Sequence, residues 1–214
     1  DWLSSRGLGD VYKRQLHAYF IRPGDPSTPI IYEVDRARDG GSFTTRRVVA
    51  IQNGKQIFNM AASFHIEEEG WSHQHKMKVV KGPSGVLNRN EQRKPTSDKN
   101  FLWFKVDGTL DTKDQWVHHC FLAYASDVSL LGSGNRPHGV SAYSGDVMLA
   151  SLDHAMWFHE KIDFNNWYLY EMDSPFSGAA RSLNRGKVFS QDGTLVASVA
   201  QEGLMRPLKR KPNT

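Results

Sequence analysis

One cysteine in 214 residues, Cys120, excludes an intramolecular disulfide and a cysteine-rich zinc centre, and so points to a reducing compartment. No run approaches the roughly 18 apolar residues of a membrane span, and the first residues lack the basic-then-apolar pattern of a secretory signal. Charge of one sign is equally scarce as a block. The net charge is +4 and the pI about 9.1, yet the basic residues are scattered and only 209–211 make a compact run. A nucleic-acid partner is therefore not expected, and residues 207–214 read as a solvated basic tail. What is present suffices for a real core, at 39% apolar with 11% aromatic residues.

A β-rich unit is written twice, at about residues 16–68 and again at about 151–206. His17-Ala18-Tyr19-Phe20 stands beside His154-Ala155-Met156-Trp157-Phe158, Tyr32-Glu33-Val34 beside Tyr170-Glu171-Met172, and Gln52-Asn53-Gly54 beside Gln191-Asp192-Gly193. The three matches keep their order at almost constant offset, which duplication explains and chance does not. In the first unit, residues 46–51 and 57–64 flank Asn53-Gly54, the pair that tolerates the positive φ of a two-residue hairpin turn. In the second, 187–190 and 195–200 flank Asp192-Gly193, which predicts the same device. Segments 16–21, 30–34, 149–158 and 167–172 supply two further strands per unit. Before the second unit, 101–106 reads as another strand. Residues 116–131 then shift towards helical spacing, with Ser126 or Asp127 as cap and Gly132 and Gly134 as the stop.

No matching helix stands before the first unit. Residues 1–15 have poor periodicity and read as foreign to the fold, or as a truncated end. Residues 82–100, polar and punctuated by Pro83, Gly85 and Pro95, read as a linker. The expected organisation is thus a first unit at 16–81, the linker, a second unit at 101–206 and the tail.

Several strings resemble the type II acyl-CoA thioesterases: residues 16–25, Arg46-Arg47-Val48 with 51–55, Asp153-His154-Ala155-Met156-Trp157-Phe158-His159, and 201–206. The resemblance implies an α+β double hotdog, two long antiparallel sheets each wrapping a central helix, the first here without its start and helix. It also implies hydrolysis of an acyl-CoA to free acid and CoA, with no cofactor, in a homo-oligomer. Carried over residue by residue, the catalytic set is Asp127, Ser151 and Gln201. The residues at 211–214 are not a Ser-Lys-Leu-type address, so the cytoplasm is the expected compartment and the peroxisome the alternative.

These residue types suit the reaction. A thioester carbonyl is electrophilic, so the task is to present a water that loses its proton as it attacks; a positioned carboxylate can take that proton. Ser and Gln side chains donate and accept hydrogen bonds and can orient the water, and amides at the start of the Asp127 helix would receive the oxyanion. No Gly-x-Ser-x-Gly string surrounds Ser151, which favours direct water attack over an acyl-serine. On pattern alone Asp127 is a helix cap, Ser151 a strand serine and Gln201 a surface residue; the resemblance changes that reading. His154 reads as structural and the histidines do not suggest metal. Two alternatives stay open: an enoyl-thioester hydratase using His154 with Asp153, and a non-catalytic acyl-CoA binding module.

Overall fold

The structure, a computed structural model, describes residues 11–83, 95–141 and 145–208. Ten strands, β1 (Val11–Phe20), β2 (Ile31–Asp39), β3 (Phe43–Gln52), β4 (Lys55–Ile66), β5 (Asn100–Phe104), β6 (Val147–Ser151), β7 (Asp153–Phe158), β8 (Tyr168–Gly178), β9 (Arg181–Ser190) and β10 (Leu195–Pro207), form one antiparallel sheet. The order is β2-β3-β4-β1-β7-β10-β9-β8-β5, with β6 also on β10. The halves meet at β1 and β7, where His17 lies opposite Ala155 and Ala18 opposite His154. Corresponding residues of the two sequence units thus pair reciprocally, as a two-fold relation requires. One long helix, α1 (Gln115–Leu130), packs on the second half and is followed by the single turn α2 (Gly132–Asn135). This is the α+β hotdog arrangement. No helix of the described residues is long and apolar enough to cross a membrane.

The core is concentrated under α1. His118, His119, Leu122, Ser126 and Leu130 form its buried stripe, spaced about one helical turn apart. They meet Met156, Tyr170, Met172, Val188 and Val199 of the sheet, none more than 3% exposed. The two halves differ sharply in cover. Tyr170 and Met172 are 0% and 1% exposed, whereas their counterparts Tyr32 and Val34 are 62% and 43% exposed, since no described helix lies over β2.

Several expectations are corrected. β1 begins at Val11, so residues 11–15 belong to the sheet and pair with 63–66 of β4, although the first fifteen residues read as foreign. The 149–158 segment is two strands, not one. Register shifts by one residue between Ser151 opposite Gly203 and Ala155 opposite Ala200, with Leu152 at the break. In an unbroken strand Ser151 and His154 would face opposite sides; the shift turns both towards α1, where Ser151 reaches Asp127 and His154 reaches Ser126.

The helix falls on the expected 116–131 stretch, but neither Ser126 nor Asp127 caps it. It starts after Asp114, and the helical path runs on through α2 and a 3-10 turn to Gly139, whose φ of 64° ends it. Packing of the apolar and histidine face overrides the local capping preference of Ser126. The linker expectation at 82–100 falls partly on 84–94, outside the described residues; Asn100 already belongs to β5, and 95–98 are tied down by Arg136 Nε donating to the Ser97 carbonyl at 3.0 Å and the Ser174 amide donating to Asp98 at 3.3 Å.

The hairpins differ as well. Asn53 (φ 49°) and Gly54 (φ 70°) make the expected two-residue turn. The second unit does not repeat it. There Gly193 (φ 90°) closes a four-residue loop in which Gly193 N donates to the Ser190 carbonyl and Ser190 N to the Thr194 carbonyl. The tight positive-φ turn of that half lies elsewhere, at Ala179 (φ 48°) and Ala180 (φ 58°), between Gly178 and Arg181. Alanine pays a steric cost there that Asn and Gly avoid. The double change Ala179→Asn, Ala180→Gly is expected to add about 1 kcal/mol of stability, raising Tm by about 2–4 °C in a thermal melt.

The seam carries a titratable group. His119 is 3% exposed, packs against Phe158 with centroids 4.4 Å apart and the rings tilted by 35°, and its Nε2 has no hydrogen-bond partner among the described residues. Burial first, then the charges of Lys13 and His118, lower its pKa to about 4 from 6.5. Because the folded value is depressed, the unfolded chain takes up the proton first. Stability is therefore insensitive to this group above pH 6.5 and falls between pH 6.5 and about 4. The unfolding free energy from urea titrations should fall by about 2 kcal/mol more between pH 7 and pH 5 in the parent than in His119→Gln.

Candidate active site

Asp127 lies towards the C-terminal end of α1, one residue beyond the fully buried Ser126. Ser126 is held from three sides. Its hydroxyl donates to the Ala123 carbonyl at 2.9 Å, its carbonyl accepts from Tyr170 Oη at 3.0 Å, and its Oγ lies 2.9 Å from His154 Nε2. Since the hydroxyl proton is committed to Ala123, His154 donates through Nε2–H and its buried Nδ1 is the bare nitrogen, which finds no partner among the described residues. Burial lowers the His154 pKa, the carboxylates of Asp127 and Asp153 oppose this, and His17 adds to it. Burial likewise raises Tyr170 well above the ordinary phenol value. Both rings are neutral supports of the segment that carries Asp127.

The sheet brings the other two residues to the same carboxylate. Ser151 ends β6, and its Oγ donates to Asp127 Oδ1 at 2.9 Å. Gln201, 1% exposed in β10, donates to the same Oδ1 through Nε2. No hydrogen bond from the described residues reaches Oδ2. Asp127 itself is half-buried. Gln201 is far from the surface glutamine that its sequence pattern suggests, and its Oε1 is buried with no partner among the described residues.

Two other readings fail here. Asp153 and His154 are not a pair: Asp153 accepts from the Glu202 amide at 2.6 Å and meets His17 Nε2 at 3.0 Å, while His154 turns to Ser126 on the other face. That removes the geometry a hydratase dyad needs. The amides around Asp127 also cannot receive an oxyanion, since they are inside the helical ladder rather than at its start, and the helix end nearby is the negative one. Sequence reasoning missed the clamp on Ser126. A buried Ser, His and Tyr from three elements leave no local spacing to read. Among the described residues no three His, Cys, Asp or Glu side chains stand close enough to hold a metal.

Fold and site together define a hotdog protein in which one half-buried carboxylate, held by a serine and a glutamine of the sheet, stands near the end of the helix. The comparisons agree. The profile "Acyl-CoA thioesterase" matches residues 73–204, and "Acyl-CoA thioesterase N-terminal domain" matches 10–65. Acyl-coenzyme A thioesterase 8 of Rattus norvegicus is 33% identical over 242 aligned residues, covering 94% of this chain and 75% of that protein. The crystal structure of acyl-CoA thioesterase II TesB2 from Mycobacterium marinum superposes with a TM-score of 0.85 at 39% identity, covering 95% and 84% of the two chains. A conserved protein with hot dog fold from Alicyclobacillus acidocaldarius, 19% identical, has a TM-score of 0.78 over 92% and 80%, a likeness of fold. The chain belongs to the acyl-CoA thioesterase family, whose members are thioester hydrolases.

Proposed function

We propose that this chain hydrolyses acyl-CoA to free acid and CoA by direct attack of water, with Asp127 as general base and Ser151 and Gln201 as orienting groups. The observation that carries the reading is the division of the Asp127 carboxylate: Oδ1 is fixed by two donors, and Oδ2 remains to take a proton. Gln201 Oε1, an acceptor without a protein partner among the described residues, offers a second anchor for the same water. A water donating one hydrogen to Oδ2 and the other to Oε1 is left with its lone pair for the carbonyl carbon. As the carbon–oxygen bond forms, the proton passes to Asp127 and the carbonyl electrons move to oxygen. Collapse expels the CoA thiolate, which takes the proton back from Asp127. Base and orienting groups are restored, and no cofactor is required.

One observation favours a second reading. Ser151 donates its proton to Asp127 at 2.9 Å, the geometry that an acyl-Ser151 intermediate would also use. The Gln201 bond to the same oxygen weighs against it, because an oxygen already accepting two hydrogen bonds is a poorer base. The reaction class is tested by incubating the chain with acyl-CoAs of increasing chain length and following thiol release. Free CoA with an equal amount of acid is expected; hydroxyacyl-CoA without thiol, or tight binding without turnover, would point to the hydratase or the binding module.

A further inference from the structure

We infer that Asn184 is a further positioning residue of this site, holding a buried water behind Gln201; the inference rests on the roles proposed above for Asp127 and Gln201. The burial of β9 runs against its hydropathy. Ser182 and Asn184 are 2% and 0% exposed, while Leu183 between them is 39% exposed. Asn184 lies directly opposite Gln201 in the ladder, so the two side chains share a face of the sheet. Asn184 Nδ2 meets the carbonyls of Ser182 at 3.2 Å and Gln201 at 3.4 Å, and Ser182 Oγ at 3.1 Å. Carbonyl oxygens accept only, so these contacts settle which end of the amide is nitrogen. Oδ1 is thereby directed away from them, buried and without a partner among the described residues.

Above this pair lies α2. A Cβ on Gly134 would stand 2.6 Å from Ser182 Oγ and 3.0 Å from Asn184 Oδ1, so the α2 backbone roofs these side chains closely. Its neighbours Ser133 and Asn135 are 0% and 4% exposed, and their Oγ and Oδ1 are likewise buried without partners among the described residues. With Gln201 Oε1, four unpartnered oxygens are contributed by α2, β9 and β10. Asn and Gln oxygens can only accept, so the occupant must be a donor, and water is the smallest molecule with two donors. A water bridging Asn184 Oδ1 and Gln201 Oε1 fixes the Gln201 amide so that Nε2 stays on Asp127. The second lone pair of Oε1 remains for the attacking water.

The test compares Asn184→Leu, Asn184→Ser and the parent in steady-state kinetics and thermal melts, beside a high-resolution crystal structure of the parent. Asn184→Leu is expected to lower kcat about tenfold with KM within about twofold and Tm not reduced, the pattern of lost orientation rather than lost packing. Asn184→Ser leaves room for the water and should stay within about threefold of the parent. The crystal structure should place a water within hydrogen-bond distance of both oxygens, and it decides the matter if Asn184→Leu fails to fold. A parent-like kcat in Asn184→Leu, or protein atoms filling that position, overturns the inference. With Asp127→Asn measured alongside, an inactive Asp127 variant and a parent-like Asn184→Leu would remove this inference alone. An active Asp127 variant would remove the reading beneath it.

Discussion

Replacing Asp127 by asparagine is expected to lower kcat for acyl-CoA hydrolysis roughly 100- to 10,000-fold, with KM within about threefold. The substitution is close to isosteric, and its retained Oδ1 can still accept from Ser151 and Gln201. What it loses is the second oxygen, replaced by an amide nitrogen that cannot take a proton. Ground-state binding and the fold should therefore survive, and the loss should fall on the chemical step. Circular dichroism and a thermal melt beside the kinetics separate this from unfolding. Parent-like turnover would show that another group takes the proton.

Gly186→Ala should be the most damaging small change in the second half, lowering stability by about 3 kcal/mol and Tm by about 6–12 °C. A Cβ there would lie 2.2 Å from Tyr170 Cε2 and 2.8 Å from both Cζ and Oη. The ring is rigid and fully buried, so it cannot yield as a flexible chain end would. Displacing it also breaks the Tyr170 bond to the Ser126 carbonyl, one residue before Asp127, so activity should fall even below the melting range. The first half supplies the control. Its corresponding position holds Val48, opposite Val34 as Gly186 is opposite Met172, and Tyr32 there is exposed instead of folded over the strand. Val48→Ala should change Tm by no more than about 3 °C. A thermal melt of both variants checks the contrast.

The strands of both units and the Asn53-Gly54 turn were legible because period-two alternation and positive-φ residues are local signals. The break at Leu152 was not. A one-residue shift leaves no mark in composition, yet it puts Ser151 and His154 on one face. The helix cap was misread for a related reason. Ser126 and Asp127 have the chemistry of a cap, but the buried stripe from His118 to Leu130 binds the helix to the sheet more strongly than a cap preference can redirect it. Of the site, Asp127, Ser151 and Gln201 were legible only through the resemblance of their flanking strings. Asn184 was hidden by β9, where polar residues face inward and Leu183 outward, the reverse of what alternation teaches.

Direct water attack separates from an acyl-serine route in the first turnover. In a rapid-quench experiment with enzyme in excess over acyl-CoA, CoA and free acid should appear together at equal amounts, and intact-protein mass spectrometry of the quenched chain should show no added acyl mass. A burst of CoA ahead of the acid, with an acyl group mapped to Ser151, would contradict the account.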